Sequence, residues 1–333
     1  MTKNGMRELR ARRGFWFVAM ACCVSTAAVA QEWKPERNVE IIVSSGAGGA
    51  ADRSARVIQR FLQKIPGIPS VSVANKPGGS GTVAWSFVNQ HPGDGHYLST
   101  LNTALVTNQI IGLSTLRYQD ITPLNILMHE YVAVWVRAES QIVSGKDLVA
   151  RLQQDPASVS FGISPARGNQ NHIVLAMIAR AAGVDPKALK IVVYSSGGAG
   201  TTAALGGHVE VWAGTAGSAR QFLQSGKIRV LGISSAQRQG GEFAGVPTFR
   251  EQGIDAVYYA WRGFLGPKGL SEAQTAFWDR AFARIVEDGS WTAELEKNAW
   301  GREFKGVAET RKFLDAEHQL LEKILADLGL VKH

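Results

Sequence analysis

Cysteine is nearly absent from this chain of 333 residues. Its two cysteines, Cys22 and Cys23, fall within the first thirty residues, so the rest of the sequence contains no thiol. That remainder therefore has no disulfide, no thiolate nucleophile and no cysteine metal site. Beyond the N-terminus the sequence also lacks an apolar run of the roughly 20 residues that span a bilayer. The 36 glycines and 11 prolines follow no fixed period, which excludes a collagen-like or low-complexity protein.

Much of the net charge of +8 lies at the N-terminus, where five basic residues oppose one acidic residue. An apolar run at residues 14–29 follows and leads into Ala28-Val29-Ala30. A basic segment, an apolar segment and a small-x-small end are typical of a secretory signal peptide. We therefore expect a signal peptide at residues 1–30, cleaved near Ala30, and an exported protein. A membrane anchor is the alternative, but this apolar run is short for one.

The mature chain alternates short β-branched runs with helical patterns, and repeated strand–loop–helix order implies parallel strands with helical crossovers. Two such α/β halves precede a mostly helical region at residues 271–328. We predict an α/β fold of two lobes, each a mainly parallel sheet flanked by helices, with a cleft between them. Lobe 1 comprises residues 31–130 plus 262–333, and lobe 2 comprises residues 131–261. Strands are predicted at residues 39–43, 71–73, 97–101, 132–136, 159–163, 191–194, 209–212, 230–233 and 258–265. Ser144 is the predicted N-cap of a helix at residues 144–154, and another helix is predicted at residues 172–182.

Three loops share one design, because each follows a predicted strand, is rich in glycine or serine, and precedes a helix. They are residues 44–50, 164–171 and 195–200. A helix N-terminus carries unpaired backbone N–H groups and the positive end of the helix dipole. Glycine lets this backbone approach a ligand closely, so such loops can bind an anion without arginine or lysine. The alternative is that the glycines serve only to make tight turns.

Catalytic and cofactor patterns are weak. The first loop fits G-x-G-x-x-A, but a dinucleotide site needs an acid after the second strand, where Asn75 and Lys76 stand. Residues 162–166 do not form a G-x-S-x-G nucleophile elbow. His172 is a candidate base without an evident partner, and His91 and His96 lack a third metal ligand. We expect no catalytic residue, no cofactor and no metal ion, and the scattered basic residues disfavour nucleic-acid binding.

Several segments, taken in order, resemble the periplasmic solute-binding proteins of tripartite tricarboxylate transporters, the Bug family. The resemblance extends from the signal peptide to the C-terminal helix. Each motif alone is common, whereas the ordered set is specific. The matching segments are residues 42–56, Asn75-Lys76-Pro77-Gly78-Gly79-Ser80-Gly81, residues 92–98, Gly168-Asn169-Gln170-Asn171-His172, residues 194–198, 205–209, 226–231, 246–253 and 261–263.

The resemblance implies a monomeric two-lobed periplasmic binding protein of the type II-like class. Such a protein closes on a small organic carboxylate and docks on membrane transporter subunits. Alternatives are a sensory protein that binds a carboxylate without a transporter, and an exported α/β hydrolase. Carried over to the matching positions, the ligand-binding residues are Ser44, Ser45, Gly46, Ala47, Gly48, Gly49 and Asp52 in the first loop, Asn102 and Thr103 as a wall, Ser164, Gly168, Asn169 and His172 in the second loop, and the turn Gly197-Gly198.

This sequence departs from the family pattern within the expected cleft. Ser44-Ser45 stands where the family often has Pro-Phe, and Asn169 replaces the usual serine. The acidic residue common one turn after the histidine is absent, since Ala176 and Met177 occupy that region. An ammonium group pairs with a carboxylate, so this loss disfavours an amino-acid ligand. The segment Trp261-Arg262 would suit an aromatic acid, although tryptophan there is also a family feature.

Overall fold

The computed structural model describes residues 32–331, so the predicted signal peptide at residues 1–30 lies outside the described residues. Strands and helices alternate through the first two thirds of this range, which confirms the predicted α/β class. The strands are β1 (Val39–Val43), β2 (Val71–Asn75), β3 (Tyr97–Asn102), β4 (Thr122–Arg137), β5 (Ser160–Ile163), β6 (Lys190–Val193), β7 (Val211–Thr215), β8 (Ile228–Ile233), β9 (Tyr259–Gly266) and β10 (Trp300–Lys305).

Helices of seven to 21 residues cover the sheet. Among residues 32–331, no helix is both long and apolar enough to cross a membrane. The helices are α1 (Ala50–Leu62), α2 (Thr82–Asn89), α3 (Ala104–Ile110), α4 (Gly145–Gln154), α5 (Gln170–Ala181), α6 (Gly197–Leu205), α7 (Ala216–Gln224), α8 (Glu272–Glu287), α9 (Gly289–Asn298) and α10 (Val307–Asp327).

The sheet has the order β2-β1-β3-β9-β4-β7-β5-β6, and β8 and β10 also pair with β4. β1 runs parallel to β2 and β3, and β5 runs parallel to β6 and β7. These pairs confirm the predicted parallel strands with helical crossovers. The sheet is nevertheless mixed, because β4 and β9 pair antiparallel with every neighbour.

β4 is shared by the two halves of the sheet. Its residues 122–131 pair with β9 and β10, whereas residues 132–137 pair with β7 and β8. Only residues 132–136 were predicted as a strand. The first part of β4 is buried at almost every position, so its sequence lacks the alternation that marks a half-exposed strand.

Helix starts follow the capping residues in the sequence. The predicted N-cap of α4 is confirmed, because Ser144 Oγ accepts the N–H of Asp147 at 3.1 Å. The prediction that a helix starts at His172 is two residues late. Asn169 caps α5, and its Oδ1 accepts the N–H of His172 at 3.0 Å.

The C-terminal region contains a strand as well as helices. The mostly helical prediction for residues 271–328 is wrong at β10, which pairs antiparallel with β4. Ala299 ends α9 in a left-handed conformation, with φ of 53°, and turns the chain into this strand. A Cβ atom on Gly301 would lie 1.8 Å from His129 Nε2, so any other residue there would displace this ring.

Buried polar groups link the central strands to this region. The guanidinium of Arg262 on β9 pairs with Glu130 on β4, with Nε 2.5 Å from Oε2. The indole Nε1 of Trp300 donates to the other Glu130 oxygen at 2.9 Å. On α10, Glu317 accepts the Tyr258 hydroxyl at 2.7 Å. Such networks fix the positions of β4, β9 and α10 because each buried polar group needs its partner.

Candidate functional site

The first loop connects β1 to α1 and presents backbone N–H groups. Gly49 is the N-cap of α1 and makes no side-chain cap. The first amides of a helix, here those of Ala50 and Ala51, have no acceptor within the helix itself. Gly48 has φ of 76°, a conformation that favours glycine. Gly46 is exposed, and a Cβ atom there would meet nothing within 4 Å. The loop is therefore open to a ligand.

Polar side chains bring the first loop together with the end of β3. Ser44 N–H donates to Thr100 Oγ1 at 3.1 Å, and the two hydroxyls lie 3.1 Å apart. Asn102 Nδ2 donates to Ser44 Oγ at 3.2 Å. Since β1 and β3 are parallel neighbours, their carboxyl ends meet at one edge. The predicted residues Ser44 and Asn102 thus share one location.

Thr103 follows directly and is the N-cap of α3, but its side chain is turned into the protein. It is 1% exposed, and its hydroxyl lies beside the Tyr258 side chain. Burial and the nearby Glu317 carboxylate raise the pKa of Tyr258 well above its usual value, so its hydroxyl stays protonated and donates. The Thr103 hydroxyl is therefore buried in this structure and not exposed to a ligand.

Asp52 holds the first loop from within. Its Oδ2 accepts the Gly48 N–H at 2.9 Å and the Arg56 Nε at 3.0 Å. Its Oδ1 accepts Asn75 Nδ2 at 2.9 Å. Burial alone would raise the pKa of Asp52, but hydrogen bonds from Arg56, Gly48 and Asn75 hold it below the usual value. Both oxygens have protein partners, so the structure supports a positioning role for Asp52.

Asn75 positions the first loop, a role that the sequence did not reveal. Its Nδ2 also donates to the carbonyl of Ser45 at 3.0 Å. One amide therefore fixes the backbone of the first loop and the carboxylate of Asp52. Its position at the head of a recognisable glycine motif was the available signal, but the partners lie 23 and 30 residues away.

The second loop connects β5 to α5 and folds around the carbonyl of Ser164. The amide nitrogens of Asn169 and Asn171 both donate to that carbonyl. Gly168 has φ of 81°, and its Cα faces the side chains of Ile111, Leu325 and Leu330, each within 4 Å of the position of a Cβ. The loop is therefore held by its own amides and by packing against the region of α3 and α10.

His172 is a neutral donor in this loop. Its Nδ1 accepts the N–H of Gly168 at 2.9 Å, which places the ring proton on Nε2. Burial, with a smaller effect of Arg167, lowers the pKa of His172 to about 4. No carboxylate among residues 32–331 contacts this ring.

The third loop lies beside the second. Ser196 caps α6 by accepting the Ala199 N–H at 3.2 Å, and Gly197 and Gly198 are exposed. A Cβ atom on Gly197 would lie 3.8 Å from Ser164 Oγ. The structure thus brings the predicted Ser164, Asn169, His172 and Gly197 together. No hydrogen bond within the described range joins these two loops to the first loop.

Trp261 and Arg262 are engaged elsewhere. The Trp261 indole donates to Glu317 at 3.0 Å, and the Arg262 guanidinium is 8% exposed in its ion pair with Glu130. Both polar groups have partners within the protein. Their burial therefore gives no support to the aromatic-acid hypothesis.

Comparisons with known proteins agree with this geometry. The family model "Tripartite tricarboxylate transporter family receptor" matches residues 54–330. The protein BugT of Bordetella pertussis is 27% identical over 250 residues, covering 73% of this chain and 74% of BugT. A Cupriavidus necator protein described as "UPF0065 protein in gbd 5'region" is 25% identical over 301 residues, covering 90% of this chain and 89% of that protein.

Solved structures show the same fold. The periplasmic binding protein BugD superimposes with a TM-score of 0.78 at 19% identity, covering 90% of this chain and 100% of that chain. An R. palustris protein with adipate superimposes with a TM-score of 0.80 at 22% identity, covering 89% of this chain and 99% of that chain. MatC from Rhodopseudomonas palustris with bound malate superimposes with a TM-score of 0.74 at 22% identity, covering 87% of this chain and 99% of that chain. Together with the family match, these likenesses show that the chain belongs to the tripartite tricarboxylate transporter receptor family, the Bug family.

Proposed function

We propose that this protein captures a small organic carboxylate in a cleft between two lobes and delivers it to the membrane subunits of a tripartite transporter. Lobe 1 comprises residues 31–130 plus 262–333, and lobe 2 comprises residues 131–261. The change of partners along β4, between residues 131 and 132, supports a division at this point. The protein acts as a monomer and as a binding protein, in keeping with a receptor family that is generally non-enzymatic.

The three loops that open α1, α5 and α6 carry this proposal. Each combines a helix N-terminus with glycines or short polar side chains, and the one basic residue within the three loops, Arg167, donates to the Ile191 carbonyl at 3.2 Å. A hydrogen bond to a charged group contributes about 1.5–3 kcal/mol, and a helix dipole up to about 2 kcal/mol. Three such bonds approach the roughly −8 kcal/mol of micromolar affinity before the cost of association is subtracted.

Two structural neighbours support a carboxylate as the ligand. The R. palustris protein is described with adipate and MatC with bound malate, and both ligands are dicarboxylates. In the present chain, the first loop and the pair of second and third loops offer two groups of donors for two ends of such a ligand. The departures at Ser44-Ser45 and Asn169 lie within these groups, so the preferred acid differs from that of relatives with other residues there.

Export fits this role. Members of the family are periplasmic. The basic and apolar residues 1–30 act as a signal peptide that is cleaved near Ala30. Mass measurement of the protein from the producing cell tests this step, because cleavage near Ala30 gives a mature chain that begins near Gln31. A mass that includes residues 1–30 contradicts it.

A thermal-shift screen of the mature chain tests the function. The panel contains mono-, di- and tricarboxylates together with sugars and amines as controls. Ligand at about 100 times its Kd stabilises a protein by about 2.7 kcal/mol, which raises the midpoint by several degrees. We expect a shift with a subset of the carboxylates only. Shifts with a neutral sugar or an amine and with no acid contradict the proposal.

A further inference from the structure

Asn171 has a buried acceptor that the protein does not satisfy. The residue lies in the first turn of α5 and is 4% exposed. Its Nδ2 donates to the carbonyl of Ser164 at 3.2 Å. Its Oδ1 has no hydrogen-bond partner among residues 32–331. A buried acceptor without a partner costs about 1–3 kcal/mol, so a native site that keeps one needs an explanation.

The orientation of this amide is fixed by its neighbours. A flipped amide would place Oδ1 against the Ser164 carbonyl, and two acceptors would then face each other. That carbonyl also receives the amide of Asn169, whose own Oδ1 is occupied by the N–H of His172. The unpaired atom is therefore an acceptor, and it belongs to the amide that touches the first residue of the second loop.

The surrounding groups define what this acceptor can bind. The N-terminal turn of α5 and His172 Nε2 offer N–H donors, and no carboxylate contacts the loop within the described residues. The positive end of the α5 dipole disfavours an ammonium group at this position. The N–H donors suit the carboxylate of a ligand. A neutral hydroxyl on the same ligand suits the unpaired acceptor, because it can donate a hydrogen bond without adding positive charge.

We propose that Asn171 Oδ1 accepts a hydroxyl of the ligand, so that the protein selects a hydroxylated carboxylate over the matching acid without the hydroxyl. This inference rests on the proposed function, because it assigns a ligand class to the same site. Asn171 is then a residue that determines specificity. A neutral hydrogen bond of this kind corresponds to a preference of roughly threefold to tenfold.

Titration calorimetry with matched acids tests the proposal. The pairs are malate and succinate, lactate and propionate, and citrate and tricarballylate, measured on the wild-type protein, Asn171→Leu and Asn171→Ala. Gln170→Ala, at the half-buried neighbouring position, is the control. Leucine keeps the approximate volume of asparagine without its polar atoms, and alanine covers the case in which leucine does not fit. Thermal midpoints identify variants that do not fold.

We expect the wild-type protein and Gln170→Ala to prefer the hydroxylated member of the pair that binds by threefold or more. In the Asn171 variants the ratio of the two affinities falls towards one, whereas loss of the Asn171 hydrogen bond to the Ser164 carbonyl alone weakens both members of a pair equally and leaves the ratio unchanged. Equal affinities within every binding pair, or a preference that both Asn171 variants retain, overturn the inference and leave carboxylate binding intact. Either result would indicate that Asn171 Oδ1 pairs with an internal water and not with the ligand. Absence of binding by any acid overturns the proposed function, and the inference with it.

Discussion

The contact between Asp52 and Asn75 predicts a strong and specific effect on stability. Asp52 is 3% exposed, and its carboxylate accepts hydrogen bonds from Asn75 and from the backbone of Gly48. Each such bond to a charged group is worth about 1.5–3 kcal/mol. The contact with Arg56 adds little, because that side chain is 48% exposed. Removing the carboxylate also removes the free-energy cost of burying its charge, which offsets part of the loss. We therefore expect Asp52→Ala to lower the free energy of unfolding by about 3 kcal/mol.

Asn75→Ala removes the partner of Asp52 and the donor to the Ser45 carbonyl, so we expect a loss of about 2 kcal/mol. The two residues share one hydrogen bond of 2.9 Å, and their effects are therefore not additive. The double variant is expected to lose at least 1 kcal/mol less than the sum of the single variants. Denaturant unfolding of the four proteins measures this coupling. Additivity within about 0.5 kcal/mol refutes the positioning role given to these side chains.

Two further predictions concern α5 and α6, the helices that follow the second and third loops. A pKa of about 4 for His172, against its ordinary 6.5, means that the unfolded chain binds the proton first as the pH falls. The contribution of the neutral ring to the free energy of unfolding is therefore present above pH 6.5 and is lost as the pH falls towards 4. Between pH 7 and pH 5 this loss is about 2 kcal/mol. Denaturant unfolding at both pH values should show that His172→Gln lacks this loss, and an equal loss in both proteins contradicts the assignment. Gly200→Ala should cost about 1–3 kcal/mol or more, because the new Cβ would lie 1.9 Å from the Trp212 ring. Gly198→Ala on the same helix enters open space and should leave the free energy of unfolding nearly unchanged, so equal effects of the two changes would contradict this packing.

The local parts of the fold were accessible from sequence because their signals are local. Ser144 before an amphipathic run predicted the start of α4, and the structure shows the expected cap. The β-branched run at residues 39–43 predicted β1, and the glycine loop after it predicted the start of α1. These features depend on the conformational preferences of a few neighbouring residues.

The elements that were missed depend on distant partners. β10 is a strand because it pairs with β4, and the reversal at Ala299 uses a non-glycine residue with no turn signal. The first part of β4 is buried on both faces, so its pattern does not alternate. Pairing across more than 100 residues leaves no periodicity in either segment.

The candidate site shows the same limit. The loops were recognisable from glycine and serine, and the structure places Ser44 beside Asn102 and Ser164 beside Gly197. The sequence did not show that Asp52 faces inward, that Asn75 fixes the first loop, or that Asn171 keeps an unpaired acceptor. Each of these properties depends on which donors and acceptors the fold brings into contact. The assignment of the ligand-binding residues stays a prediction until binding is measured.

Calorimetric titration of the tightest-binding carboxylate from the thermal-shift panel into Gly46→Val tests the central claim most directly. Gly46 is exposed and has open space around its Cα, so the valine side chain obstructs the first loop without a clash inside the protein. Gly245→Val, at another exposed glycine with open space, is the matched control. The account predicts that Gly46→Val weakens binding at least tenfold, about 1.4 kcal/mol, while the thermal midpoint and the affinity of Gly245→Val stay unchanged. Wild-type affinity in Gly46→Val would show that the carboxylate does not bind at the first loop.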